Sequence, residues 1–367
     1  MSAAAAPKHL PTLTGLRGIA ALAVLFYHIR TSMGGFAPDW LIGLFAHGYL
    51  AVDLFFVLSG FVLWWTYGGS FREQRRSAIA PFIVRRFARI FPLHLAIMAA
   101  MVGFALLLQF SGRASAQYPL AELPAHLLLV QNWGFTDRLA WNDPAWSISA
   151  EWAAYLLLAL AGTALTQMRT GPWRFPLLAL AIGAALGGWF ALTGHDDIGE
   201  NIAATGLIRC LAEFAIGVLL CQWWQAGGDK RARVWLTAAL LALVGTAFTA
   251  SGLSHPAGVP LLMAAIVIAA LESSLARLPL LGGRTAQWLG QISYAIYLSH
   301  FFLWILFKLL FVSDPANVSA PAIAAFVAVT LVCAHLLHRH VELPGRAWTQ
   351  RAGDDLLSSL QARRARG

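Results

Sequence analysis

Hydrophobic residues along the chain gather into ten runs, at about 14–31, 48–67, 90–110, 145–166, 175–193, 202–224, 234–252, 257–275, 286–311 and 320–338. Each is close to the roughly 20 residues that a helix needs to cross the hydrocarbon core of a bilayer. The pattern predicts an all-α fold, a polytopic integral membrane protein of about ten transmembrane helices. The fifth, seventh and eighth runs carry almost no charge and read as lipid-facing walls. The polar residues inside the other runs are the informative ones. An ionisable group in a bilayer costs at least about 2.5 to 3.5 kcal/mol on insertion scales, so each one is a functional candidate by default.

The first run, LTGLRGIAALAVLFYHIR, holds Arg17 near one end and His28 near the other. Eleven residues at about 100° each return to within roughly 20° of the starting direction, and at about 1.5 Å per residue they span about 16 Å. Both side chains are therefore expected on one stripe, one toward each end of the helix. In the second run, HGYLAVDLFFVLSGFVLWW, Asp53 falls at a depth similar to that of His28. Two readings stand: a structural hydrogen bond between neighbouring helices, or a carboxylate that orients His28 as a general base requires. Ser59 and Gly60, deeper in the same run, suit close helix approach.

The segment SFREQRRSAIAPFIVRRFARIFP is the densest basic patch, and Arg86 and Arg89 stand three apart on one helical face where the third run begins. Guanidinium forks match phosphate oxygens bidentately, which points to an anionic, nucleotide-bearing ligand; anionic lipid headgroups would use the same chemistry. The stretch from Ser111 to Asp143 is the longest loop and ends in WNDPAWSISAEWAAY, which places Glu151 about two turns into the fourth run. Trp133, Trp141, Trp146 and Trp152 read as an interfacial aromatic belt or as a stacking surface for a sugar ring. In the sixth run Arg209 and Glu213 are four apart, the spacing of an intrahelical ion pair. Tyr294, Tyr297 and His300 recur every three residues in QISYAIYLSHFFLW, facing either an enclosed cavity or a neighbouring helix. There is no Gly-rich phosphate loop, HExxH, GxSxG or internal repeat.

Composition agrees with the pattern: 59% of residues are hydrophobic and 12% charged, against a charged share of about 25% in soluble domains. The net charge of +9 does not indicate nucleic acid, because the distribution of Lys and Arg accounts for it. With the N-terminus inside, cytoplasmic segments hold about twenty of the 26 Lys and Arg, and the outer loops hold Arg30, Arg113 and Arg138. Both termini are thus expected in the cytoplasm. The N-terminal MSAAAAPKHLPTL shows no removable signal peptide, so the first run is expected to act as its own insertion signal. Cys210, Cys221 and Cys333 lie in apolar runs without ligand spacing and indicate neither a disulfide framework nor a zinc site.

Six ordered pieces, LTGLRGIAALAVLFYH, GYLAVDLFFVLSGF, FIVRRFARIFP, PAWSISAEWAAY, QISYAIYLSH and the terminal VELP, together resemble the membrane acyltransferase 3 family, the bacterial integral-membrane O-acyltransferases, over roughly residues 10 to 345. The resemblance implies a multi-pass protein of the bacterial inner membrane whose transmembrane acyltransferase domain covers 1–345, followed by a basic cytoplasmic tail at 346–367. It implies acyl-CoA, with acetyl-CoA foremost, as co-substrate and no metal, and an envelope carbohydrate or other hydroxylated acceptor as partner. By matching position, the family's essential Arg and His fall on Arg17 and His28, its arginine pair on Arg86 and Arg89, and its carboxylate and second histidine on Glu151 and His300. Some relatives carry an appended esterase-like domain. None is expected here, so acyl handover is expected to use the membrane unit or a separate periplasmic partner.

The leading hypothesis is acyl transfer, with Arg86, Arg89 and Arg17 holding the donor, His28 acting as general base, and Glu151 or Asp53 stabilising the imidazolium. The rival is a transporter or flippase for an envelope lipid or glycan, in which buried Arg, His and Glu line a path. Such proteins are often built as repeated halves, and no such symmetry is visible here.

Overall fold

The computed structural model describes residues 10–168, 174–226, 231–250, 254–272 and 277–364; the N-terminal MSAAAAPKH and Gly228, a residue of the inner segment after the sixth run, lie outside the described residues. Each run is helical over its described residues. In chain order they are α1 (Pro11–Ile29), α2 (Asp39–Ala46), α3 (Ala51–Gln74), α4 (Ile79–Phe110), α5 (Leu123–Leu127), α6 (Ala145–Leu165), α7 (Arg174–Leu192), α8 (Ile202–Gln225), α9 (Arg231–Ala250), α10 (His255–Ala270), α11 (Pro279–Gly282), α12 (Arg284–Phe311), α13 (Ala320–Leu337) and α14 (Leu343–Arg364). Eight stretches among the described residues are long and apolar enough to cross a membrane. The longest, Asp39–Phe110, holds both α3 and α4, and α10 is a shorter apolar helix. The ten expected runs thus correspond to α1, α3, α4, α6, α7, α8, α9, α10, α12 and α13.

Local signals explain the boundaries. Pro11 opens α1 and Pro256 lies in the first turn of α10, positions where a missing N–H costs nothing. The Ser254 hydroxyl caps α10 by accepting the Ala257 N–H at 3.3 Å. Between helices, packing follows small residues. A Cβ at Gly60 would meet the Phe214 carbonyl oxygen at 2.0 Å and one at Gly217 the Val57 carbonyl at 2.1 Å, so α3 and α8 run nearly backbone to backbone. Gly18 and Gly290 do the same for α1 and α12.

The bundle has a basic end, where the Arg75–Ala78 turn and α14 lie, and an opposite loop end formed by α2, α5 and the 111–144 segment. The tail is more than a loose cap: α14 packs along α4, with Gly345 against Pro92 and Gly353 against Val84.

Two expectations need correction. The charge-free eighth run is no outer wall, for in α10 Val259, Leu261, Ala264, Val267 and Ile268 are all buried, packed on α9, α7 and α3. Absence of charge marks an apolar environment and does not separate lipid from protein core. α7 and α9 do present exposed leucines, Leu177, Leu192, Leu236 and Leu243. The tryptophans form no uniform belt either: Trp141 is fully buried with its Nε1–H donating to the Pro119 carbonyl at 3.0 Å, and Trp146 is buried beside α8.

Candidate active site

Five helices deliver the polar residues to one cavity of about 140 Å³. Arg17 comes from α1 and Ser59 from α3, Arg86 and Arg89 from α4, Glu151 and Tyr155 from α6, Tyr294 and Tyr297 from α12. The spacing is the reason each helix contributes as it does. Residues three or four apart share a helical face, so Arg86 with Arg89, Glu151 with Tyr155, and Tyr294 with Tyr297 point together. Phe55, Val62, Leu63 and Ile90 supply an apolar part of the wall.

Three guanidinium groups and one carboxylate line this space, an excess of positive charge in a low-dielectric surround. Arg17 lies within electrostatic range of Glu151, Tyr155 and Arg86. Arg86 donates from Nη2 to the Tyr67 hydroxyl at 3.0 Å and stands over the Tyr67 ring, while its Nε is buried without a hydrogen-bond partner. Arg89 sits 5.1 Å from the Tyr294 ring centre and forms an ion pair with Glu342, a buried residue at the start of the C-terminal segment. The second oxygen of Glu342 is 3.0 Å from Nδ1 of His338. The Ser59 and Tyr155 hydroxyls are 3.3 Å apart.

Toward the loop end, His28 meets His300 with ring centres 5.1 Å apart, and Phe301 and Tyr27 pack on the other sides of its ring. His28 does not itself line the cavity. Tyr297, which does, has its ring centre 6.1 Å from that of His300 and shares its hydroxyl with Ser147 at 2.6 Å. Nδ1 of His300 lies 3.0 Å from the Ile296 carbonyl. A carbonyl only accepts, so Nδ1 carries the hydrogen, and neutral His300 presents a lone pair at Nε2. That Nε2 is buried and without a partner.

Two placements differ from the depth argument. Asp53 is paired with Arg209 in place of His28, through Nε to Oδ1 at 2.5 Å and Nη2 to Oδ2 at 2.6 Å, and Nη1 donates to the Ile198 carbonyl at 3.1 Å. The same contact replaces the intrahelical Arg209–Glu213 ion pair. Sequence gives depth along a helix but not which neighbour faces it, and α3 turns Asp53 toward α8. Glu151, expected at the level of His28, lies in the cavity with the arginines. Of the residues that the sequence reading singled out, the structure brings together Arg17, Arg86, Arg89 and Glu151 in one place and His28 with His300 in another, and leaves Asp53 outside both. It missed Glu342 as the partner of Arg89, although the VELP piece contained it. It also missed Tyr67 and Tyr155, ordinary aromatic residues of apolar runs.

Residues 10–339 match the acyltransferase domain of the acyltransferase 3 family. The chain is 31% identical to acyltransferase MdmB of Streptomyces mycarofaciens, over 91% of each protein. It is 24% identical to the peptidoglycan O-acetyltransferase OatA of Listeria monocytogenes over 92% of this chain and 56% of that protein. With O-acetyltransferase OatA of Staphylococcus aureus it shares 28% identity over 43% of this chain and 25% of that protein. No solved structure matches the chain. A family match over most of the chain, together with a relative of equal extent, leads to one conclusion: this protein belongs to the acyltransferase 3 family of multi-pass membrane acyltransferases.

Proposed function

We propose that this acyltransferase moves an acetyl group from cytoplasmic acetyl-CoA to a hydroxyl of an envelope saccharide or similar acceptor, in the bacterial inner membrane. In this reading the basic end faces the cytoplasm and the loop end the periplasm. The observation that carries it is the convergence of Arg17, Arg86 and Arg89 on one cavity whose far wall, Tyr297, adjoins the His28–His300 pair. At about 140 Å³ the cavity is smaller than the 300 to 1,000 Å³ of whole-ligand pockets, so it suits the thioester end of the donor. The phosphates then lie nearer the basic end, where the guanidinium forks of Arg86 and Arg89 meet them.

His28 takes the proton of the acceptor hydroxyl as its oxygen attacks the thioester carbonyl. The C–S bond breaks, and the CoA thiolate leaves and recovers the proton, so acceptor and thioester become ester and free thiol. The lone pair of His300 Nε2 steadies the proton on His28. Proton transfer by a placed base contributes about 10² to 10⁴-fold in rate.

The test is to offer purified protein acetyl-CoA with envelope saccharides and to measure free CoA and acetylated saccharide. No CoA release above that of a His28→Gln protein overturns the reading. Orientation has its own test: cysteines at Gly34 and Asp196 should label from outside, and one at Gly69 only after permeabilisation.

A further inference from the structure

Beyond the crossing helices the loop end carries Arg30, Arg113 and Arg138, and the three are not alike. Arg113 is exposed, and Arg138 is paired with Glu122, Nη2 to Oε1 at 3.1 Å. Arg30, on the turn that follows α1, is half-buried, and no carboxylate among the described residues pairs with it. Its Nη1 donates to the Tyr27 carbonyl, and the guanidinium stands 4.0 Å from the centre of the Tyr27 ring. A basic side chain on the last carbonyls is an ordinary helix end, but it uses one of the five N–H donors of a guanidinium. The other nitrogens are open to the surface. The turn itself is fixed: the Met33 N–H donates to the Arg30 carbonyl at 3.1 Å, and the Val318 N–H donates to the carbonyl of buried Ser32 at 2.9 Å.

One ring joins this cation to His28. Tyr27 meets His28 edge-on with ring centres 5.1 Å apart, and this distance with the 4.0 Å above holds guanidinium and imidazole within about 9 Å of each other, inside electrostatic range. The nearness works against the reaction. A base that takes a proton becomes an imidazolium, and like charges repel strongly where water is scarce. An arginine on the outer side also runs against the charge bias of membrane proteins. Both disadvantages vanish once an anion sits on Arg30.

We propose that Arg30 recognises an acidic acceptor: its guanidinium fork seats a carboxylate or phosphate of the saccharide, and a hydroxyl of the same or the next sugar residue turns to His28. The assignment rests on the acyltransferase reading above and narrows the acceptor to an anionic one. Arg30 binds and neutralises; the proton is handled by His28. Because the anion arrives with the acceptor, His28 is relieved of the neighbouring positive charge only when a hydroxyl is there to be deprotonated. The phosphate of an outer-leaflet phospholipid offers the same chemistry, so the test separates the two.

Two measurements test it. In the first, envelope saccharides are split on an anion exchanger, and the acidic and neutral fractions are each offered with acetyl-CoA to wild type, Arg30→Gln and Arg30→Lys, with Arg113→Gln as control. Wild type should acetylate the acidic fraction, Arg30→Gln should lose at least tenfold of that rate at limiting acceptor, and Arg30→Lys should lose less. Acetyl-CoA affinity should stay within twofold throughout. Transfer by wild type to the neutral fraction alone, or equal rates in wild type and Arg30→Gln, would overturn the assignment. In the second, tetragalacturonate and its methyl ester are titrated calorimetrically into the protein without any donor, in detergent and in phosphatidylglycerol nanodiscs. Wild type should bind the acid at least tenfold more tightly than the ester in both, and Arg30→Gln should lose that preference. No preference in wild type would overturn the assignment, and a preference present in detergent but abolished in the nanodiscs would give Arg30 to a phospholipid phosphate. A preference in both, without acetyl transfer to either fraction, would leave the anion site standing and fault the acyltransferase reading.

Discussion

Two sets of charged residues are buried in the same helices, and they are built in opposite ways. α3 contributes Asp53 to one and, six residues on, Ser59 to the other. In the first set both Asp53 oxygens and three guanidinium nitrogens of Arg209 are bonded, and Trp146 covers the guanidinium at 5.5 Å. Asp53 and Arg209 leave no space between them, and Glu213, the one open member of this set, is buried beside the pair with neither oxygen hydrogen-bonded. In the second, Arg17, Arg86, Arg89 and Glu151 surround open volume, and a guanidinium N–H of Arg86 stays unused. The difference teaches how to sort intramembrane charges. A set whose hydrogen bonds close on themselves is a rivet between helices, and a set left open around a cavity is waiting for a ligand.

The largest effect should come from breaking the rivet. Asp53→Ala removes both hydrogen-bonded oxygens from Arg209 and leaves Glu213, four residues on and buried, as the carboxylate within electrostatic range of it; short of that rescue a buried unpaired guanidinium costs about 3 to 5 kcal/mol, and the yield of folded protein in detergent should fall. Replacing both partners with apolar residues, Asp53→Leu with Arg209→Met, should restore most of the thermal stability and acetyl-CoA binding. If Asp53→Ala instead folds as well as wild type and fails only in transfer, Asp53 belongs with the catalytic group and the contrast collapses.

In the proposed mechanism His28 works with the open set, although it does not line the cavity. An amide cannot accept and return a proton, so His28→Gln should fold and bind acetyl-CoA yet lose transfer by about 10² to 10⁴-fold. Near-normal acetylation by that variant would reduce the His28–His300 contact to packing. The readout is saccharide acetylation at saturating acetyl-CoA, so that donor affinity does not mask the step.

How much of this was legible follows from what a membrane sequence encodes. Run length gives the crossings, and the eleven-residue separation of Arg17 and His28 puts them on one stripe, because both are properties of a single helix. Partner choice between helices is different. Asp53 had His28 and Arg209 among its possible neighbours, and only the Gly60–Gly217 contact of α3 with α8 decides for Arg209. Glu342 was hidden for another reason: it follows the last crossing, where a carboxylate looks like an ordinary solvated residue, and it is the docking of α14 on α4 that buries it.

The arginines come next in expected size. A charge-assisted hydrogen bond contributes about 1.5 to 3 kcal/mol, so Arg86→Ala and Arg89→Ala should each weaken acetyl-CoA binding by roughly ten- to a hundredfold. Lysine should rescue only in part, because a point charge cannot repeat the fork. Calorimetric titration with acetyl-CoA against the same protein with free acceptor separates donor from acceptor effects. Equal donor affinity in wild type and the double alanine variant would assign the patch to lipid headgroups.

The smallest effect sharpens the comparison most, because Glu342 makes Arg89 the one cavity arginine with a carboxylate of its own. Its pair with Arg89 is closed on one side and open on the other: the Glu342 carboxylate and the Tyr294 ring fix the guanidinium, and the remaining edge faces the cavity. Glu342 touches no reacting atom in this reading, so it is a positioning residue. Glu342→Ala frees Arg89 to swing, and the expected result is a severalfold rise in the KM for acetyl-CoA with kcat nearly unchanged. Glu342→Gln keeps a hydrogen-bond acceptor at the same place and should recover part of the loss. A merely structural carboxylate would lower the amount of folded protein without moving the KM of what remains, and its amide would not restore donor affinity. If KM is unchanged in folded Glu342→Ala, Arg89 is held by Tyr294 and α4 alone. The C-terminal helix then contributes packing to the bundle and nothing to the donor site.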